Sequence, residues 1–202
     1  MEVVKDLQRQ IAVHEDMRAY KELYMLLFDG LHRFSFSLVK SREGAEEIVS
    51  DVFIKLWQIR SQLLHIENLK AYLYTTARNF SLNYIEKNAR NPVSQLNDID
   101  IETVIEFNSP EDLFISNETI KGIEQVVQTL PTQCKIVFQL VKEEGLKYKE
   151  VAAILNISVF TVRNQMSIAT KKIGDILLKR PSTRYRLVIP NLMHGGGPLQ
   201  TD

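Results

Sequence analysis

Apolar residues recur along this chain at three- and four-residue spacing almost throughout, and no convincing pair of alternating strands appears before the tail. Residues 17–39 carry Tyr20, Leu23, Leu27, Leu31 and Phe34 at that spacing, which predicts a first helix. Ser41 followed by Glu43 reads as an N-cap with a carboxylate in the first turn. The helix behind it puts Ala45, Ile48, Val49, Val52, Phe53, Leu56 and Trp57 on one wide apolar face. A third helix is predicted over 69–86, with Leu69, Tyr72, Leu73, Thr76, Ala77, Phe80 and Tyr84 along it.

Asn91-Pro92 breaks the pattern, and the acidic stretch to about residue 112 has little periodicity. Helical spacing returns at Ile120, Ile123, Val127 and Leu130. Pro131 sits where a helix can begin, and Gly145 suits the left-handed position just past its end. Two further helices are predicted, over 148–155 and 159–178, before Pro181 closes the segment. The expected fold is all-α. Two small helical domains, over 1–92 and 119–180, are joined by an acidic linker over 93–118 and followed by a tail over 181–202. In that tail 184–189 could form a strand, and His194 to Pro198 reads as flexible.

Formal net charge is zero, yet its distribution is not even. Between 132 and 180 nine basic residues stand against four acidic ones, whereas between 95 and 131 eight acidic residues stand against one basic. Segment charge, not overall pI, is what a polyanionic partner would feel. The longest strongly apolar run, Tyr24 to Phe28, is far short of the roughly 20 residues that span a bilayer, so no membrane insertion is expected. The charged N-terminus does not read as a secretory signal, and the single cysteine, Cys134, suits a reducing cytoplasm.

One hairpin carries a recognisable spacing. Residues 148–155, then Asn156-Ile157-Ser158, then a helix from Val159 have the lengths of a helix-turn-helix. Asn156 fits a left-handed turn, Ala152 is small where helices cross closely, and Ser158 can cap the second helix. Val151, Leu155, Ile157 and Val162 are expected to bury against one another. With Val162, Met166, Ala169 and Ile173 pointing inward, the opposite face shows Phe160, Arg163, Asn164, Ser167 and Lys171. Such residues near a helix N-terminus can reach base edges or phosphates in the major groove. An ordinary helical hairpin with a solvated polar face has the same spacing.

The stretch Glu144-Gly145-Leu146-Lys147-Tyr148-Lys149-Glu150-Val151-Ala152, continuing through Ile157-Ser158-Val159-Phe160-Thr161-Val162-Arg163-Asn164-Gln165-Met166-Ser167, resembles region four of the extracytoplasmic-function (ECF) sigma factors. Leu130-Pro131-Thr132-Gln133-Cys134-Lys135-Ile136-Val137-Phe138 is similar to the helix that precedes it in that family. Ala45-Glu46-Glu47-Ile48-Val49-Ser50-Asp51-Val52-Phe53-Ile54-Lys55-Leu56-Trp57 resembles the segment by which sigma region two grips the polymerase clamp helices. Leu69-Lys70-Ala71-Tyr72-Leu73-Tyr74-Thr75-Thr76-Ala77-Arg78-Asn79 resembles the start of the helix that reads the minus-ten element. Three motifs in order, covering about 20–179, make the resemblance specific.

The resemblance implies a transcription initiation factor that binds core RNA polymerase and directs it to promoter DNA, with no cofactor, no metal and no catalysis of its own. It implies polymerase contacts at Asp51, Phe53 and Trp57. It implies DNA contacts at Lys70, Arg78, Asn79, Thr161, Arg163, Asn164, Ser167 and Lys171, with a captured non-template base near 64–72. An anti-sigma factor is the further partner it implies. Ile168 stands where the family often has a basic residue, and Phe160 replaces what is commonly lysine or another polar residue. Each missing cation removes a counterion-release contribution. The rival reading is a conventional regulator whose hairpin binds an operator as a dimer. An enzyme is disfavoured: there is no phosphate-binding glycine loop, His14, His32, His65 and His194 lack metal-ligand spacing, and Cys134 reads as a packed core thiol.

Overall fold

The computed structural model describes residues 2–89 and 127–179, with side chains to Asp175. Seven α-helices are seen among the described residues: α1 (Glu2–His14), α2 (Met17–Val39), α3 (Arg42–Gln58), α4 (Leu69–Ala89), α5 (Thr132–Phe138), α6 (Tyr148–Leu155) and α7 (Val159–Lys179). A 3-10 segment (Arg60–His65) follows α3, and a π-helical turn (Gln139–Glu143) follows α5. The described residues contain no strand, as the all-α expectation requires. The linker over 93–118, the tail over 181–202, the strand expected at 184–189 and the apolar positions Ile120 and Ile123 lie outside the described residues.

The chain gathers into two compact units. One comprises Met1–Glu102 with Gln139–Val162, and the other Thr103–Phe138 with Arg163–Asp202. The sequence-based division put 139–162 with the C-terminal domain. In the contact grouping those residues fall with the N-terminal helices, by contacts that include the polar ones described below.

In the first unit α2 is central, packing on α1, α3 and α4. Asp16 starts α2 by accepting from the backbone N–H of Arg18 at 2.7 Å and Ala19 at 3.3 Å. Leu23, Leu27, Leu31 and Phe34 then follow one inward stripe, all nearly or fully buried. Ser41 caps α3 as expected, accepting from Gly44 N–H at 3.1 Å. The α3 face of Ala45, Ile48, Val49, Val52, Phe53 and Leu56 is entirely buried.

Helix α1 was not foreseen. Its first turn is charged, but Leu7 and Ile11 lie one turn apart and are 4% and 0% exposed. Between them Gln8 is buried and its amide donates to the carbonyl oxygens of Leu63 at 2.6 Å and Ile66 at 2.8 Å. One glutamine thus ties α1 to the end of the 3-10 segment, adding a second donor to Leu63 O, which also accepts from Ile66 N–H at 3.0 Å.

The second unit is smaller. Leu130, Cys134 and Val137 bury on one side, and Met166, Ala169 and Ile173 on the other. The Cys134 thiol donates to the carbonyl of Gln165 at 3.2 Å, and burial pushes its ionisation up, partly offset by Lys172. It is a core thiol.

Candidate nucleic-acid interface

The turn between α6 and α7 is built from local hydrogen bonds. Lys147 N–H donates to Glu150 Oε2 at 2.7 Å, which fixes the start of α6. Asn156 adopts the left-handed conformation at φ 55°, and Ile157 N–H returns to Ala152 O at 3.0 Å. Ser158 then caps α7: its hydroxyl accepts from Thr161 N–H at 2.9 Å and lies 2.8 Å from the Thr161 hydroxyl. Val151, Ile154 and Val162 are buried, while Leu155 and Ile157 are only half-buried. Ile154, three residues after Val151 on the same helix face, is buried in the place that Leu155 was expected to fill.

On α7 the inward positions Val162, Met166, Ala169 and Ile173 are all buried, as their spacing requires. Phe160, Arg163, Asn164, Ser167 and Lys171 are exposed, and Thr161 is half-buried as part of the cap. No acidic residue occurs on α7 before Asp175. That leaves a solvent-facing, acid-free strip with Arg163 in the first half of the helix and Lys171 past its midpoint, interrupted by the exposed Phe160 and Ile168. Its start, where the helix dipole acts, favours an anion.

The residues expected to serve DNA on α4 are dispersed. Asn79 is exposed and Arg78 half-buried, both more than two turns beyond Lys70. Lys70 is already occupied: its ammonium donates to Glu144 O at 2.8 Å and pairs with the Glu144 carboxylate at 2.8 Å. Arg33 lies 3.5 Å from Glu143 and 3.7 Å from Glu144. Asn68, which caps α4 by accepting from Ala71 N–H at 3.0 Å, also donates to Glu150 Oε1 at 2.8 Å. Gly30 permits this approach, since a Cβ there would stand 2.5 Å from both Glu144 Oε1 and the Tyr74 hydroxyl. Burial first, and the Glu144 carboxylate second, hold the Tyr74 hydroxyl well above the usual tyrosine range. Glu144 therefore covers Lys70 at the start of α4, while Glu143 lies against Arg33 of α2 and Glu150 against Asn68, the α4 cap.

Helix α3 separates its expected polymerase contacts. Asp51 is exposed on a strip with Glu47, Ile54 and Lys55. Phe53 is 1% exposed and sits beneath that surface, its ring 4.7 Å from Tyr24 and 6.1 Å from Tyr20. Trp57 is half-buried, with Tyr20 edge-on at 5.1 Å and the Arg60 guanidinium 4.9 Å over its ring. Ile54, 53% exposed, and Asn68 were missed by sequence reasoning. Ile54 falls off the apolar stripe of α3, and Asn68 stands one residue before α4, which is the signal that could have found each.

Among the described residues no group of His, Cys, Asp and Glu could hold a metal ion, and no helix is long and apolar enough to cross a membrane. Comparison with known proteins gives two family matches in chain order. Sigma-70 region 2 matches residues 23–91, and Sigma-70, region 4 matches residues 120–173. The ECF RNA polymerase sigma-E factor of Escherichia coli (strain K12) is 28% identical over 136 residues, 64% of this chain and 71% of that protein. The ECF RNA polymerase sigma factor SigE of Mycolicibacterium smegmatis is 22% identical over 166 residues, 82% of this chain and 64% of that protein. Among solved structures, the sigma factor RpoE in complex with the anti-sigma factor NepR from Bartonella quintana shares the fold. It has a TM-score of 0.56 at 23% identity, covering 81% of this chain and 99% of that one. CnrH in complex with the cytosolic domain of CnrY shares it at a TM-score of 0.52 and 18% identity, covering 87% and 97%.

Proposed function

The chain belongs to the ECF sigma factors, which direct RNA polymerase to promoters, and from that premise we propose how its residues divide the work. Asp51 meets the polymerase from the exposed strip of α3, supported from below by Phe53 and flanked by Trp57. Lys70, Arg78 and Asn79 face the minus-ten DNA. Arg163, Asn164, Ser167 and Lys171, with Thr161 at the helix cap, face the upstream element in the major groove. The observation that carries this is the α7 surface. A helix capped by Ser158 and buried through Val162 and Met166 turns an acid-free polar strip outward, on the segment that matches region 4.

Conventional operator binding by a dimer is the weaker reading, because it leaves α2 to α4 as a sensing or dimerisation domain. Those helices match the polymerase-binding region instead. The proposed site of action is the cytoplasm, with no catalytic chemistry beyond the polymerase's own. The proposed further partner is an anti-sigma factor, since two of the solved structures of like fold are complexes, one with an anti-sigma factor and one with the cytosolic domain of CnrY.

Two substitutions on α7 should behave differently. A base-directed arginine is worth about 1–3 kcal/mol of discrimination, so Arg163→Ala should relax preference at one or two upstream positions. Lys171, two turns farther on, suits a phosphate, so Lys171→Ala should weaken transcription from every promoter and flatten its salt dependence. Transcription from a library of upstream-element variants reads both. Identical preference profiles for wild type and Arg163→Ala would remove the base contact from the account.

A further inference from the structure

We propose that Phe160 is a specificity-determining residue that reads the 5-methyl group of one thymine in the upstream promoter element; this rests on the proposed placement of α7 in the major groove. Phe160 is the second residue of α7 and is 67% exposed. Phe34, Phe53 and Phe138 are 4%, 1% and 9% exposed and Phe28, Phe36 and Phe80 half-buried, so among the described phenylalanines Phe160 alone is exposed. A phenylalanine left in water forgoes the burial that stabilises the others.

Its position is held firmly. Ser158 closes the first turn on Thr161 with both backbone and side-chain contacts, so the segment bearing Phe160 does not depend on a partner for its shape. Arg163 and Asn164 follow it at three and four residues, the spacing that brings side chains together on one helix face. All three are exposed. The ring is thus an apolar spot beside an arginine on a helix without an acidic residue before Asp175. The exposed Ile168 lies two turns farther on, so at the start of the helix, beside Arg163, Phe160 is the apolar position. A partner fitting that end is anionic, admits a helix and offers a small apolar group among polar ones. The major groove of duplex DNA does so. Among the base edges exposed there, thymine alone presents a methyl group, and phenylalanine is one of the side chains whose chemistry suits it.

The test removes that methyl and nothing else. Holoenzyme is assembled from the full chain and core polymerase, a promoter is selected from fragmented genomic DNA, and each thymine of its upstream element is replaced in turn by deoxyuridine. Burying one methyl group corresponds to about a fourfold change in promoter affinity. One deoxyuridine substitution should therefore lower affinity of the wild-type holoenzyme by about that factor. Phe160→Ala should bind the unmodified promoter at that lowered level and show no response to the same substitution. Its unchanged melting temperature would separate the effect from misfolding. The proposal is overturned if no thymine occurs in the element, if the wild type is indifferent to every deoxyuridine, or if Phe160→Ala keeps the wild-type response. Uniform loss at all promoters with that response retained would place the ring against protein and also overturn it. Promoter-specific transcription by the wild type in the same assay upholds the sigma reading whatever Phe160 does, so the two failures are distinct.

Discussion

Phe53→Ala should destabilise the α1–α4 unit by about 3–5 kcal/mol, the cost of emptying a buried aromatic site that cannot fully collapse. The ring is 1% exposed and packs against Tyr24 and Tyr20, and the Tyr20 hydroxyl donates to Phe53 O at 3.0 Å. Alanine keeps that backbone acceptor and loses the ring, so the loss should appear as a lower denaturant midpoint with an unchanged slope. Asp51→Arg, two residues away, should leave stability within about 0.5 kcal/mol, as exposed substitutions usually do. It should instead weaken binding to core polymerase at least tenfold, by reversing a charge on the strip shared with Glu47 and Ile54. The pair separates support from contact. Unchanged polymerase affinity in Asp51→Arg would move the interface off this strip, and an undamaged fold in Phe53→Ala would contradict the packing.

Glu144→Gln should raise the affinity of the free protein for single-stranded minus-ten DNA by about tenfold at low salt. The Glu144 carboxylate, 12% exposed, lies against Lys70 and Arg33, whose side chains are 25% exposed. Glutamine keeps the shape and removes the charge, which should cost the fold about 1–2 kcal/mol through weakened charge-assisted hydrogen bonds. It also removes the ion pair and leaves Lys70 held only by the Glu144 backbone carbonyl, a neutral acceptor that a phosphate can displace. One regained phosphate contact steepens the logarithmic salt dependence of single-strand binding by about 0.7. The gain should therefore shrink as salt rises, and Lys70→Ala combined with Glu144→Gln should erase it. Equal affinity of Glu144→Gln and wild type across the salt range would leave Lys70 a structural partner of Glu144 and not a DNA contact.

Much of this organisation was legible in the residues because it is local. The caps at Ser41 and Ser158, the left-handed Asn156, and the inward stripes of α2, α3 and α7 follow from helical period and capping chemistry within a few residues. What escaped was set by partners far away in the chain. Helix α1 looks too charged to matter until Leu7, Gln8 and Ile11 find the 3-10 segment more than fifty residues on. Lys70 reads as a free cation, because nothing in the sequence near it foretells Glu144, 74 residues later. Gly30 looks like a weak point in α2, yet it is where that carboxylate and Tyr74 approach the helix. Phe53 and Asp51 stand two residues apart, and the apolar period already puts Phe53 on the inward face, without showing that its partners there are Tyr20 and Tyr24.

The central claim, that this chain confers promoter specificity on RNA polymerase, is tested most directly by transcription with purified core polymerase on fragmented genomic DNA. The account predicts that the chain joins the core at micromolar concentration or below and yields discrete transcripts whose start sites share two upstream elements. Those transcripts should vanish with Asp51→Arg. Failure to bind core polymerase, or tight binding of a duplex operator by the chain alone with no polymerase-dependent transcript, would contradict it.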